Sequence, residues 1–234
     1  MKKYIALMAL LIGSGYSSMA QNATNPEIAD KRTMVEKPSR DFLMIKLTSS
    51  GWADQPDSLN TKGIGRGFAT SIMYDFPIKK SHFSFAAGLG INVQNVFFDK
   101  QNINFKDTGS QAIFFTSSAY KRYKFTTAHL ELPLEIRFFG NNKNRNRGFK
   151  AAIGTNVGLN VGAHTKGVSG SGGSKFNDKV VSKRFIQQWS FSPTMRLGYG
   201  NFSIYGSYSL TPLFKENAGP QVLPYSIGIC LTGL

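Results

Sequence analysis

The chain has 234 residues, with 28 Lys and Arg against 13 Asp and Glu, a formal charge of +15 and a single cysteine. That length suits one domain of ordinary size, and a lone thiol excludes any intramolecular disulfide. Beyond the N-terminal leader no segment offers 18 consecutive apolar residues, which excludes a helical membrane protein and leaves a strand-built one open.

The leader, MKKYIALMALLIGSGYSSMAQ, carries Lys2 and Lys3, an apolar run from Tyr4 to Ile12, and small residues through Ser18 and Ala20. It predicts a secretory signal peptide over residues 1–20, cleaved after Ala20, because the apolar run is too short to span a bilayer as a helix. Export makes nucleic acid an unsuitable counter-charge for a basic chain; anionic lipid or lipopolysaccharide phosphate suits it better. Residues 21–40 are polar, contain two prolines and show no sustained period, so a flexible N-terminal arm is expected there.

From residue 41 onward the chain alternates with period two. The first run sets Leu43, Ile45 and Leu47 against Met44, Lys46 and Thr48. The second sets Phe68, Ile72, Tyr74 and Phe76 against Gly67, Ala69, Ser71 and Asp75, and the third sets Phe83, Phe85, Leu89, Ile91 and Val93 against Ser84, Ala86, Gly88, Gly90 and Asn92. The fourth, HLELPLEIRF at 129–138, places Leu130, Leu132, Leu134, Ile136 and Phe138 opposite His129, Glu131, Pro133, Glu135 and Arg137. Four more runs follow at 148–164, 189–199, 202–210 and 223–231. Many of the eight are about the length a tilted strand needs to cross a bilayer, and an even number closes an up-and-down meander.

Connection lengths alternate too: short at 77–81, 139–148 and 200–201, long at 51–65, about 95–122, 165–184 and 212–220. Such sorting belongs to an outer-membrane barrel, with short periplasmic turns and long extracellular loops. In a soluble barrel the rings of Phe68, Phe85, Trp189 and Phe191 would crowd the interior, while Gly, Ala and Ser faced water. The opposite orientation fits better, with large rings against lipid and glycines lining a narrow lumen. Phe76, Phe83, Phe138, Phe149, Tyr199 and Phe202 then fall beside the short turns, as an aromatic girdle at the membrane boundary.

By the same parity Lys46, Asp75, Glu131, Glu135, Arg137, Lys150 and Arg196 point into the lumen. Charges of both signs in a low-dielectric interior need partners, so a lumenal ion-pair network acting as a polar plug is expected. Eight strands leave room for side chains and not for an open channel. Pro133 removes one ladder donor, which a bulge or local distortion must accommodate.

Catalytic readings are weaker. Glu131 and Glu135 stand roughly 13 Å apart along a strand, beyond the roughly 5 to 9.5 Å that paired carboxylates use in glycoside hydrolysis. His82 and His129 fall on lumen faces and His164 at a loop edge, so no triad assembles along the sequence. Three scattered histidines and Cys230 lack metal-ligand spacing. The stretch KGVSGSGGSK at 166–175 lacks the phosphate-loop pattern and a following helix, and reads as a surface loop. KRYK at 121–124, with Lys175, Lys179, Lys183 and Arg184, gathers basic charge near the long loops, there either to meet lipopolysaccharide phosphates or simply to be solvated.

HLELPLEIRFF, RLGYGNFSIYGSYSLTPLF and GPQVLPYSIGICL together resemble the PorT-like outer-membrane β-barrel family of Gram-negative bacteria, across roughly residues 40–234. The resemblance implies an outer-membrane barrel with no defined active site; the founding member is associated with type IX protein secretion.

The expectation is therefore an all-β, eight-stranded antiparallel up-and-down transmembrane β-barrel over residues 41–234, with a polar plugged lumen and no cofactor. It is expected to be a non-enzymatic monomer whose partners are outer-membrane lipid, lipopolysaccharide or an envelope protein. Two alternatives stand beside it: a lipid-modifying outer-membrane barrel enzyme, and a soluble periplasmic ligand-binding barrel.

Overall fold

A computed structural model of the chain describes residues 42–78, 81–105, 112–117, 120–141, 147–171 and 174–233, so the expected signal peptide and N-terminal arm lie outside the described residues. Its strands are β1 (Leu43–Ala53), β2 (Gly65–Pro77), β3 (Phe83–Phe98), β4 (Gln101–Asn104), β5 (Ile113–Thr116), β6 (Arg122–Phe139), β7 (Phe149–Ser171), β8 (Ser174–Val181), β9 (Trp189–Tyr199), β10 (Phe202–Tyr208) and β11 (Leu223–Thr232). Eight of these form a ring, β1–β2–β3–β6–β7–β9–β10–β11, which the pairing of β11 with β1 closes. All contacts round the ring are antiparallel, and each of its eight strands is paired on both sides.

The alternation decides which way each strand faces. Leu89, Ile153 and Ile204 are 57%, 62% and 69% exposed, whereas Lys46, Asp75 and Arg137 on the opposite parity are 2%, 2% and 1%. Water cannot explain a wall of exposed Phe, Leu and Ile enclosing buried charges; a hydrocarbon surround does. From Phe83 to Val93 that wall runs roughly 34 Å along β3, or roughly 26 Å of height at the usual barrel tilt, close to the apolar band of an outer-membrane barrel.

Small residues on the inner face let neighbouring strands come close. A Cβ on Gly154 would sit 2.0 Å from the Leu134 carbonyl oxygen, and one on Gly228 would sit 2.1 Å from that of Leu47. At the β9–β10 turn Gly200 adopts φ 62°, as the first loop residue of a type II′ hairpin does.

Pro133 is accommodated without a bulge. It keeps its register with Asn156 of β7, while pairing with β3 lapses between Ala87↔Leu134 and Gly90↔Glu131 and resumes unshifted. The bulge lies higher, where Ala128 pairs with Gly162 and His129 with Asn160, leaving Val161 as the extra residue on β7. An added residue reverses the facing of everything beyond it. Below the bulge Ala152, Asn156 and Asn160 point inward; above it Ala163 and Thr165 do.

Two regions expected as long loops are instead largely paired. β3 continues to Phe98 and β6 begins at Arg122, so most of KRYK lies on a strand, and β4 pairs with β5 between them. The glycine-rich segment at 166–175 is divided between the end of β7 and the start of β8, which form a hairpin in register from His164↔Val181 to Ser171↔Ser174. Pairing of β7 with β6 as far as Arg122↔Val168 carries the strand into the glycine-rich segment. Among the cations expected in loops, Lys175 and Lys179 therefore belong to β8, and only Lys183 and Arg184 follow it.

Candidate functional site in the barrel lumen

The interior is layered. At the short-turn end β2, β6 and β9 bring Asp75, Glu135, Arg137 and Arg196 together. Arg137 Nε donates to Glu135 Oε2 at 2.8 Å and its Nη1 lies 3.7 Å from Asp75 Oδ1, while Arg196 Nη2 reaches Glu135 Oε2 at 3.1 Å. Ser84 Oγ donates to Asp75 Oδ1 at 2.7 Å from the neighbouring strand. Lys150 is buried at the same end, its Nζ 5.8 Å from the centre of the Phe139 ring.

Higher in the lumen, Glu131 accepts from Asn92 Nδ2 at 2.6 Å and Asn156 Nδ2 at 2.9 Å, with Lys46 Nζ at 3.8 Å. The same ammonium lies 4.8 Å from the centre of the Tyr205 ring. Ser50, Gln94 and Ser226 are hydrogen bonded beside this group, through Ser50 Oγ to Ser226 Oγ at 3.2 Å and Gln94 Nε2 to Ser226 Oγ at 3.1 Å. Four buried cations thus share the interior with three buried carboxylates, Asp75, Glu131 and Glu135, so its net charge is small, and Lys46, Arg137 and Arg196 are paired with those carboxylates.

Above the polar layers the lumen changes character. Trp52 of β1 lies edge-on to Phe98 of β3, Phe125 of β6 and Phe214, with ring centres 5.5, 6.0 and 6.3 Å away. Phe105 stacks on Phe185 at 5.9 Å, and Leu59, Ile186, Leu213 and Val222 complete a buried apolar cap. Backbone bonds tie the loops that carry it: Gln187 N to Leu213 O at 2.9 Å, Lys215 N to Phe185 O at 2.9 Å and Ala112 N to Ala218 O at 2.8 Å. Tyr123 OH both donates to Ile103 O at 3.0 Å and accepts from Ile103 N at 3.1 Å, pinning the β4 segment over the mouth. At the rim, the Lys62 ammonium hydrogen bonded to Asp99 at 2.8 Å holds that carboxyl below its ordinary value. Burial, with the Asp178 carboxylate it donates to, raises the Tyr120 phenol.

The residues considered for chemistry are dispersed. His82 Nδ1 meets the Phe139 carbonyl oxygen at 2.6 Å by the short turns, His129 Nε2 lies 3.2 Å from Asn160 Nδ2 in the lumen, and His164 is on the outer face above the bulge. Glu131 and Glu135 are engaged by different cations. Among the described residues no group of three or more His, Cys, Asp or Glu is placed to hold a metal ion.

The residues placed beside the short turns stand next to each other around the wall. Phe83 pairs with Phe138, Phe149 with Tyr199, and Tyr199 with Phe202, while Phe76 pairs with Phe85. Phe138 packs between Phe83 at 5.3 Å and Phe149 at 6.4 Å. Inward parity on β3 and β7, which flank Glu131, was the signal that marks Asn92 and Asn156. The cap had none, since its rings come from segments distant in sequence.

A closed eight-stranded antiparallel ring with an apolar outer belt and buried lumenal charge defines a transmembrane β-barrel of the outer-membrane class. The chain belongs to the outer membrane protein beta-barrel domain family, whose profile matches residues 46–215. It is accordingly an outer-membrane protein. Among solved structures, three mutants of a Rh. blastica porin match 81% of this chain and 99% of theirs, at 8 or 9% identity and TM-scores of 0.20 to 0.21. A likeness at that TM-score carries no argument. No curated protein matches the chain.

Proposed function

We propose that this protein is a non-enzymatic, monomeric outer-membrane barrel that is closed to conduction and works through its structured extracellular end, as a stabilising or docking element of the envelope. The observation that carries the reading is the double closure of the lumen: ion pairs around Glu135 and Glu131 fill the lower part, and the cap around Trp52 and Phe214 seals the mouth. A transport role would leave one of those levels open. Its partners are outer-membrane lipid, lipopolysaccharide and an envelope protein, and nucleic acid is not among them. Export proceeds through a signal peptide cleaved after Ala20, leaving the arm at 21–40 ahead of the barrel. The finer PorT-like relationship rests on the sequence resemblance, and a role in secretion has no support in the geometry.

The test is reconstitution of the folded full chain into planar bilayers, beside a gel comparing boiled and unboiled samples. The expected result is a heat-sensitive shift in migration with no conductance steps. Steady porin-like steps from the wild-type protein would overturn the proposal.

A further inference from the structure

Above the bulge, β3, β6, β7 and β8 continue as a wall beyond the apolar belt. Their register sets Phe97 opposite Lys124, Lys124 opposite Lys166, and Lys166 opposite Lys179, so three lysines stand side by side across three adjacent strands. All three share the outer face, because Phe125 and Thr165, their neighbours of opposite parity, are buried inside. Like charges directly opposed across a sheet are destabilising, and the cross-strand pairs here are lysine with lysine twice over.

Among the described residues no carboxylate is placed in an ion pair with these lysines. Asp178, beside Lys179 in sequence, projects to the other face and accepts from Tyr120 OH at 2.9 Å. Lys124 Nζ donates to the neutral Asn95 Oδ1 at 2.7 Å. With Arg122 one pleat higher, Lys124 and Lys166 rim a depression whose remaining lining is Phe97 and Val168. Two pleats below Phe97 and Lys124 the outer face becomes apolar, at Val93 and Ala128 and then at Ile91, Leu130 and Leu159. The lysine row therefore stands roughly 10 Å above the lipid belt, given a rise of roughly 3.4 Å per residue and the usual tilt.

We propose that this face is a binding site for the phosphates of lipopolysaccharide, with Lys124, Lys166 and Lys179 holding phosphate while acyl chains lie on the belt below. The proposal rests on the outer-membrane reading above and names its lipid partner. A phosphorylated amphiphile meets both halves of the surface at once, cations above and hydrocarbon below, where a soluble anion would use only the first. The Val161 bulge is what makes the site. Without the extra residue His164 and Lys166 would project inward, and the row would be broken between Lys124 and Lys179.

The experiment measures binding of fluorescent lipopolysaccharide to the folded full chain in zwitterionic nanodiscs, with phosphatidylglycerol vesicles as the second arm. The Lys124→Gln, Lys166→Gln, Lys179→Gln triple variant is expected to lose about a hundredfold in affinity, at roughly a factor of five per lysine. A control triple at exposed lysines off this face, Lys62→Gln, Lys183→Gln and Lys215→Gln, is expected to bind like wild type. Replacement of all three row lysines by Arg keeps the charge and is expected to retain binding. Each variant is first checked for the heat-sensitive gel shift, and relief of repulsion is expected to leave the row variant at least as stable as wild type. Binding unchanged in the row variant, equal losses in row and control variants, or equal affinity for phosphatidylglycerol would each overturn the site. Any of these from a folded, non-conducting barrel leaves the proposed function standing, whereas wild-type conductance overturns that function whatever the lipid result.

Discussion

Arg196 Nη2 of β9 lies 3.1 Å from Glu135 Oε2 of β6, although β7 stands between their strands. The pair spans β7 because that strand shows the lumen only Ala152 and Gly154 at this level, in register with Arg196 and Glu135. Small residues on one strand thus set the length of an ion pair between its two neighbours.

Glu135→Gln leaves two guanidinium groups buried without the carboxylate they share. A loss of about 3 to 5 kcal/mol is expected, the usual cost of removing one member of a buried pair. Urea unfolding followed by the gel shift measures it, with Glu216→Gln in the exposed loop expected to change stability by less than about 0.5 kcal/mol. Equal midpoints for the two variants would count against the lumenal network as a source of stability.

Gly154→Ala tests the close approach directly. Its Cβ would meet the Leu134 carbonyl oxygen at 2.0 Å and Glu135 Cα at 2.9 Å, both backbone atoms that cannot swing aside. A loss of about 1 to 3 kcal/mol, or a reduced folded fraction, is expected. Gly206→Ala, where nothing lies within 4 Å, serves as the comparison and is expected to fold normally.

The two tryptophans report the orientation of the wall. Trp189 is 59% exposed on the outer face and Trp52 is buried in the cap. In Trp52→Phe protein, lipids with brominated chains are expected to quench the remaining fluorescence; in Trp189→Phe protein they are expected to leave it nearly unchanged. The reverse pattern would mean the rings do not face lipid.

Cys230 is fully buried on the inner face of β11. A polyethylene glycol maleimide is expected to label it only after unfolding, read as a mass shift on a gel. Rapid labelling of the folded protein would reveal a lumen open to reagents of that size.

Phe214→Ala removes a ring from the centre of the cap, against Trp52 and Phe125. A cost of about 3 to 5 kcal/mol is expected from the cavity. Conductance is expected to stay absent, because the ion pairs below still fill the lumen. Conductance in this single variant would assign the seal to the cap alone.

The eight barrel strands and their facing were readable because one uninterrupted alternation runs through β2 and β3, so Phe76 and Phe85 could be placed on the outside from parity alone, whereas β4, β5 and β8 were not foreseen. The facing of Lys166 was not readable, because nothing in Asn160, Val161 and Gly162 announces a bulge; it exists to reconcile β7 with β6. Pro133 marked a weak point correctly, yet a two-residue lapse in the ladder with β3 absorbs it in place of a bulge. The inward parity of Glu131 and Glu135 was legible, but which cation each would meet was not. Those partners depend on reach across Ala152 and Gly154 and on registers between strands far apart in the chain. The cap was hidden for a related reason: Trp52, Phe98, Phe125, Phe185 and Phe214 show no common period, and only the closed ring brings them over one opening.

β1 and β11 pair over ten positions, from Met44↔Thr232 to Ala53↔Leu223, so the seam joins the two strands of the ring that lie farthest apart along the chain. Contacts of such separation form late, since the chain entropy lost in closing the loop precedes any reward. Until Leu223–Thr232 arrives, the backbone of β1 is an unsatisfied template for any passing extended segment. Maturation is thereby close to all-or-none: a molecule stalled before the seam has two sticky borders and is a target for holding factors or proteolysis, whereas a sealed one offers neither.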